Sequence, residues 1–366
     1  MREALFWGLL SRRFHAYAPE PVPVCFYKKT VVSALRKINN RRLAIMTKYI
    51  VKRVLRSLIT MFIIITVLFA LLRMMPIEGY FENFDKMTEV QIQAKLNTLG
   101  LNDPLPKQLL NFYGQIFRGD LGTSNKYRIG VSINEIIGEK IPISLRLGLI
   151  SLCIALFAGL SLGVVMARST RTRLKIGDRL GTIFIVIIQA MPSAVYHILI
   201  QFAGSQSQFG KDLGLKMLFE MDSPVTWILP IISLSIGNIA YYAMWLRRYM
   251  VDESNKDYIR LARAKGVPNG AISRRHVFRN AFVPLVQYIP NSILLTLMGS
   301  LYVESLYSIP GMGGLLVTAI KLQDNTLVQA LVMIYAVISI LGLLFGDILM
   351  GIVDPRISFA KKEGAR

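Results

Sequence analysis

Apolar residues in this chain gather into long runs instead of alternating with polar ones, and the runs are too long for strands. Six stretches contain no Lys, Arg, Asp or Glu: 57–72, 147–167, 183–203, 225–246, 282–303 and 327–346. A helix of about 20 apolar residues spans the hydrocarbon core of a bilayer. The first run is the shortest, and Arg56 and Arg73 at its ends can snorkel to the interfaces. The pattern predicts an all-α integral membrane protein with six transmembrane helices, a large first loop at 76–141 and a second long polar segment at 247–281. No charge falls inside the six runs, so a proton relay or an ion-coupled pump has little to work with.

Charge then orients the spans. The 366 residues are 53% hydrophobic with a net charge of +21, which in a soluble chain would suggest nucleic acid. Its distribution says otherwise. From residue 46 onward, the segments before span one, after span six, and between spans two and three and four and five carry 22 Lys/Arg against 7 Asp/Glu; the intervening ones carry 12 against 13. That alternation follows the positive-inside rule and predicts both termini in the cytoplasm. No nucleic-acid-binding signature accompanies the charge. Cys25 and Cys153, and His15, His197 and His276, are scattered with no disulfide or metal-ligand spacing.

Residues 1–45 stand apart from this pattern. They carry 9 Lys/Arg and 2 Asp/Glu, with Pro19, Pro21 and Pro23 breaking any long helix. Two readings stand, a basic cytoplasmic tail or a start codon placed too early. The second is preferred, with a flexible segment preceding a functional start at Met46. Residues 359–366 form a short cytoplasmic tail.

The segment between the fourth and fifth runs is strongly basic: Asp257-Tyr258-Ile259-Arg260-Leu261-Ala262-Arg263-Ala264-Lys265-Gly266, then Val267-Pro268, with Pro284 eighteen residues after the glycine. Residues 257–265 are rich in good helix formers. Gly266 stands where a helix C-cap would place a left-handed residue, and Pro268 suits the first turn of a following helix. These residues resemble the EAA loop of membrane subunits in binding-protein-dependent ATP-binding-cassette importers, in the form of the dipeptide/oligopeptide/nickel branch. Arg260 and Leu261 stand where the wider superfamily often has Glu and Ala.

Other stretches carry the same resemblance. Residues 99–108 and 117–124 resemble the first external loop of the B-type subunit, a helical hairpin over the outer mouth. Local chemistry adds that Asn102 or Asp103 can cap a helix starting at Pro104 and that Gly119 and Gly122 make turns. Glu304-Ser305-Leu306-Tyr307-Ser308-Ile309-Pro310-Gly311 resembles the family's Gly/Pro-rich stretch after span five, and Asp354-Pro355-Arg356 its cytoplasmic end. The resemblance covers 46–358. In the spans, Pro192 predicts a kink, either lining the path or bending a packed bundle. Asn238 and Asn291 predict interhelical hydrogen bonds first and path lining second. For Glu304, a carboxylate bonded to backbone amides is expected, with a place on the path as the alternative.

The chain has no engine of its own. Gly204 to Gly210-Lys211-Asp212 is the closest approach to a phosphate loop, but five residues separate the glycines and Asp follows Lys. No catalytic constellation accompanies it, so no enzymatic activity is expected. What the resemblance implies is a permease subunit that binds no cofactor, with ATP and magnesium on two cytoplasmic ATP-binding subunits. A homologous second permease subunit would complete the pore, and an extracytoplasmic substrate-binding protein would deliver di- or oligopeptides across the bacterial or archaeal cytoplasmic membrane. In that reading Asp257, Arg260, Ala262, Arg263, Ala264, Lys265 and Gly266 couple to the ATPase: the alanines keep the helix slim, the glycine permits a sharp break and the cations pair with the partner. The same importer class for nickel or another small solute is the nearest alternative. A self-contained channel or secondary carrier would show inverted repeats and broken or charged spans. A membrane scaffold would need a soluble domain larger than the 66-residue external loop.

Overall fold

The computed structural model describes residues 24–81 and 84–353. They fall into two units, one up to Lys52 and one from Arg53 onward. The apolar part of the first helix and all the later helices lie in the second unit. Residues 1–23, and with them Pro19, Pro21 and Pro23, lie outside the described residues, as do 354–366. Helix α1 runs Val24–Leu72 and therefore passes through residue 46, where the sequence pattern placed a boundary.

Among the described residues there is no strand, only an isolated antiparallel bridge between Thr123 and Ser132. The helices after α1 are α2 (Glu89–Thr98), α3 (Leu105–Phe117), α4 (Ile133–Ser169), α5 (Ile176–Ala190), α6 (Ser193–Gln206), α7 (Gln208–Asp212) and α8 (Ile228–Ser254). Then come α9 (Asp257–Ala264), α10 (Asn269–Ala271), a π-helical stretch Ile272–Phe278, α11 (Arg279–Val286), α12 (Tyr288–Met298), α13 (Leu301–Leu306), α14 (Met312–Lys321) and α15 (Asn325–Val353).

Four helical segments are long and apolar enough to cross a membrane: Thr47–Leu72, Ile133–Ser169, Pro224–Ser254 and Asn325–Val353. The third and fifth expected spans are not single helices. α5 and α6 meet at 106°, and Asn269–Val286 meets Tyr288–Leu306 at 47°. The physical reasons are local. Met191 is extended, and Pro192 cannot donate the amide that would continue α5, so it becomes the cap of α6. In the fifth the bend falls at Gln287, where Pro290 cannot donate to the Val286 carbonyl four residues back, and a further break follows where Gly299 ends α12 with φ 68°. The expectation of six single transmembrane helices is thus corrected, and broken spans no longer distinguish a carrier from an importer subunit.

α4 and α8 form the spine. Gly159 and Gly163 lie one turn apart on α4, and a Cβ on either would stand 2.9 Å from the carbonyl oxygen of Ile239 or Ala243 on α8. Small residues four apart let two backbones approach this closely. Each end of α4 has its own core. Ile133, Ile136 and Ile137 pack with Leu315 and Leu316 of α14 and Leu327 and Leu331 of α15. At the other end Ala155 and Ala167 pack with Tyr242, Leu246 and Met250 of α8 and with Ile259, Ile272 and Leu285.

The 76–141 segment is helical in part. Thr88 and Gln91 form a reciprocal capping box at the start of α2. Neither Asn102 nor Asp103 caps α3. Pro104 occupies the cap, Asn102 bonds the Gln93 and Asn97 side chains, and Asp103 pairs with Lys107. Proline has no side-chain acceptor to offer, Pro106 removes one amide that a cap would serve, and the Lys107 amide bonds the Pro104 carbonyl instead. Gly119 and Gly122 adopt positive φ in turns, as expected. α3 lies against α1, with Tyr113 stacked on Phe62 and its hydroxyl at 2.9 Å from Thr66 Oγ1.

Candidate functional site

The basic segment folds as two helices about a break. In α9, Ile259 is completely buried, and Ile259 and half-buried Ala262, three residues apart, face the core with Val267. The other face is open: Asp257, Arg260, Leu261, Arg263, Ala264 and Lys265 are exposed, Leu261 to 57%. Arg260 reaches only Asp257, at 3.4 Å, an exposed pair of the kind that contributes little. Arg171, in the link after α4, is held below the ordinary arginine pKa, first by partial burial and then by the Arg263 charge. The cations therefore crowd one surface.

Gly266 ends α9 with φ 74°. Its amide bonds the Arg263 carbonyl at 2.9 Å and the Val267 amide bonds that of Ala262 at 3.2 Å. Those two bonds make a Schellman motif, with Val267 and Ala262 as its apolar contact. Nothing lies within 4 Å of where a Cβ on Gly266 would stand, so within this chain only the backbone demands glycine. Pro268 is the cap of α10, one residue earlier than the first-turn position expected. At its start α9 is tied to α8 and α11: the Tyr258 hydroxyl donates to Glu253, and Asn280 Nδ2 donates to both, at 2.7 Å from Tyr258 and 3.2 Å from Glu253.

A cavity of about 190 Å³ lies between α4, α8 and α12–α13, lined by Ser144, Gly148, Ser151, Asn238, Ser292, Thr296 and Glu304 among others. It brings together two of the four residues proposed for a path. Asn238 is exposed and donates to Leu234 of its own helix at 3.0 Å, so the expected interhelical hydrogen bond is not made. The side-chain amide is taken up by the i−4 carbonyl, and the residue lines the cavity. Asn291 packs instead at Gly342 of α15, where a Cβ would stand 2.5 Å from its Oδ1. Pro192 is exposed at the α5–α6 turn.

Glu304 is wholly buried. Its Oε1 accepts from Ser144 Oγ at 2.8 Å and the Ser300 amide at 3.2 Å; Oε2 accepts from the Gly313 amide at 2.8 Å and that of Gly314 at 3.2 Å. This is the amide-bonded carboxylate expected, with its lone pairs taken up by the protein. Sequence reasoning missed a second one. Asp324 is wholly buried and caps α15 through the Leu327 amide. Its Oδ2 accepts from Ser124 Oγ (2.6 Å) and the amides of Asn125, Lys126 and Tyr127 (2.9–3.1 Å). An Asp-Asn-Thr stretch before an apolar run signals the cap; nothing in sequence signals the distant loop.

The model of the binding-protein-dependent transport system inner membrane component matches residues 159–359, and that of the N-terminal part of such components matches 46–136. The chain belongs to this family. It is accordingly an integral membrane permease subunit, and α9 with its glycine break lies inside the matched region. Similar relatives include the dipeptide transport system permease protein DppB of Lactococcus lactis subsp. cremoris, 32% identical over 85% of this chain and 99% of the relative. The oligopeptide transport system permease protein OppB of Haemophilus influenzae is 32% identical over 86% and 100%, and the DppB of Bacillus subtilis 31% identical over 87% and 100%.

Proposed function

We propose that this chain is one half of the pore of an ATP-driven importer of di- and oligopeptides in a bacterial or archaeal cytoplasmic membrane. The observation that carries the reading is α9, a short helix plugged into its own core by Ile259 and offering Arg260, Leu261, Ala264 and Lys265 outward beside a left-handed glycine. An exposed leucine ringed by cations suits a groove with an apolar floor and acidic rim. The names of the relatives supply the peptide cargo. In this reading each bent pair counts as one span, giving six, with both termini and α9 cytoplasmic and the 76–141 segment outside. A second permease subunit completes the pore, a binding protein delivers cargo, and two ATPase subunits hold ATP and magnesium. The cavity with Asn238 is this chain's wall of the path, and Glu304 shapes that wall without meeting the cargo.

Gly266→Asp tests the reading. The substitution adds a negative charge and a left-handed backbone penalty of about 1–2 kcal/mol, with no clash inside the chain. The variant should reach the membrane at normal level and pair with its sister subunit, yet lose ATPase subunits and peptide uptake together in the same vesicles. Normal uptake with ATPases retained would make the loop a solvated connector and remove the main physical support.

A further inference from the structure

α5 has two opposed faces. On one, Gly181, Ile185 and Ile188 are buried and pack with Met166 of α4 and with Ala240 and Ala243 of α8. Asp178 lies on that side, one turn before Gly181. Arg247 of α8 donates to both of its oxygens, from Nε to Oδ1 and from Nη2 to Oδ2 at 2.8 Å. The opposite stripe is open. Ile176, Leu180, Ile183 and Ile187, spaced as one helix face, are each 51–63% exposed.

Arg179 falls within this open stripe, and Arg173 and Lys175 are exposed on the link just before the helix. Thr172 orders that link: its hydroxyl donates to the Ser169 carbonyl at 2.8 Å and accepts from the Lys175 amide at 3.3 Å. None of the three cations is within ion-pair reach of a carboxylate among the described residues. Asp178, the only acid between 169 and 190, is turned inward to Arg247. The positive-inside rule accounts for basic residues near span ends. It does not put Arg179 on the apolar face and the acid on the other.

Length adds a second constraint. From Ile176 to Ile187 a helix rises about 16 Å, roughly the hydrocarbon depth of one leaflet. The stripe stops there, just before α5 breaks at Met191 and Pro192. Cations without a carboxylate partner therefore stand at one end of an apolar strip one leaflet deep, where the phosphates of that leaflet would lie.

We propose that this face of α5 binds one anionic phospholipid, its acyl chains along Ile176, Leu180, Ile183 and Ile187 and its phosphate on Arg173, Lys175 and Arg179. Basic clusters beside a span attract acidic headgroups in this way. A zwitterionic lipid binds less well, because the same cations repel its ammonium. The proposal rests on membrane insertion alone, not on the importer reading or on which side the link faces.

The test is native mass spectrometry of the delipidated full-length chain in detergent, titrated with phosphatidylglycerol or phosphatidylcholine. One phosphatidylglycerol should be retained, with an affinity about tenfold or more above that of phosphatidylcholine. Excess inorganic phosphate should not displace it. Arg173→Gln, Lys175→Gln and Arg179→Gln together should reduce retention to the phosphatidylcholine level. A matched loss of three charges on α9, by Arg260→Gln, Arg263→Gln and Lys265→Gln, should leave the preference intact. Both variants alter exposed side chains only, so their thermal unfolding without lipid should match that of the parent. Equal retention of the two lipids, displacement by phosphate, an unchanged link variant, or an equal loss from both variants would each overturn the proposal. Absent lipid preference, together with loss of ATPase subunits from the link variant in pull-downs, would make this face a protein-docking surface instead.

Discussion

The two ends of α4 are held by opposite means. Near its start, buried carboxylates gather backbone amides: Glu304 takes three and the Ser144 hydroxyl, and Asp324 takes four and the Ser124 hydroxyl. Near its finish, α9 is held by an apolar plug and a small polar cluster around Tyr258, and its charges face outward. Amide-bound carboxylates are directional and costly to break when buried. An apolar contact tolerates rotation, because the hydrophobic effect is non-directional. The contrast separates a region that keeps one geometry from a region that tolerates rotation, which on the proposed reading is the part that is gripped and moved.

The sharpest way to break the comparison is Asp324→Ala. It strands amides of Asn125, Lys126, Tyr127 and Leu327 at once, and should cost about 2–4 kcal/mol. Limited trypsinolysis should then cut at Lys126 or Arg128, with α9 unaffected. Resistance equal to that of the parent would mean that the loop is held by other contacts. Ile259→Ala comes next. It removes the plug from a surface helix whose site can partly fill with water, costing about 2 kcal/mol. Cleavage should appear at Arg260 or Arg263 while 124–128 stays protected. Simultaneous loosening of both ends would dissolve the distinction. Arg260→Ala should have the smallest effect on folding, within about 0.5 kcal/mol, since its carboxylate partner is exposed. Its consequence should show instead as weaker, more salt-sensitive retention of the ATPase subunits in pull-downs. Unchanged retention would limit docking to the remaining residues of the face.

How much of this could be read from the chain depends on how local each cause is. The glycine break at 266 was legible because helix formers, Gly and Pro follow one another within ten residues, and all the bonds of the Schellman motif fall inside that window. Glu304 was legible in part. Its amide donors at 300, 313 and 314 all lie within ten residues of it, but its Ser144 contact spans 160 residues. The Asp324 cradle was illegible, because a polar loop at 124–127 looks like any other until the fold sets it on α15. Asn238 was misread for a related reason: a side chain that can bond its own helix needs no neighbour. Pro192 announced a disturbance without its size, since a missing donor permits a mild kink or the 106° turn observed. The Gly159 and Gly163 pair had a signal, small residues four apart in an apolar run, that went unused.

That pair has a mechanical consequence. Two helices whose backbones touch cannot slide past one another without lifting carbonyls over Cα atoms, so α4 and α8 behave as a single beam. From Ala167 beside the α9 core to Ser144 beside Glu304 the beam runs about 35 Å, at 1.5 Å per residue. Tilted by about 5° at the α9 end, it would sweep its far end through about 3 Å by simple leverage over that length. That sweep matches the 2.8 Å reach of the Ser144–Glu304 hydrogen bond. On the proposed reading, a push at the α9 end would thus be felt as strain at the Ser144–Glu304 bond.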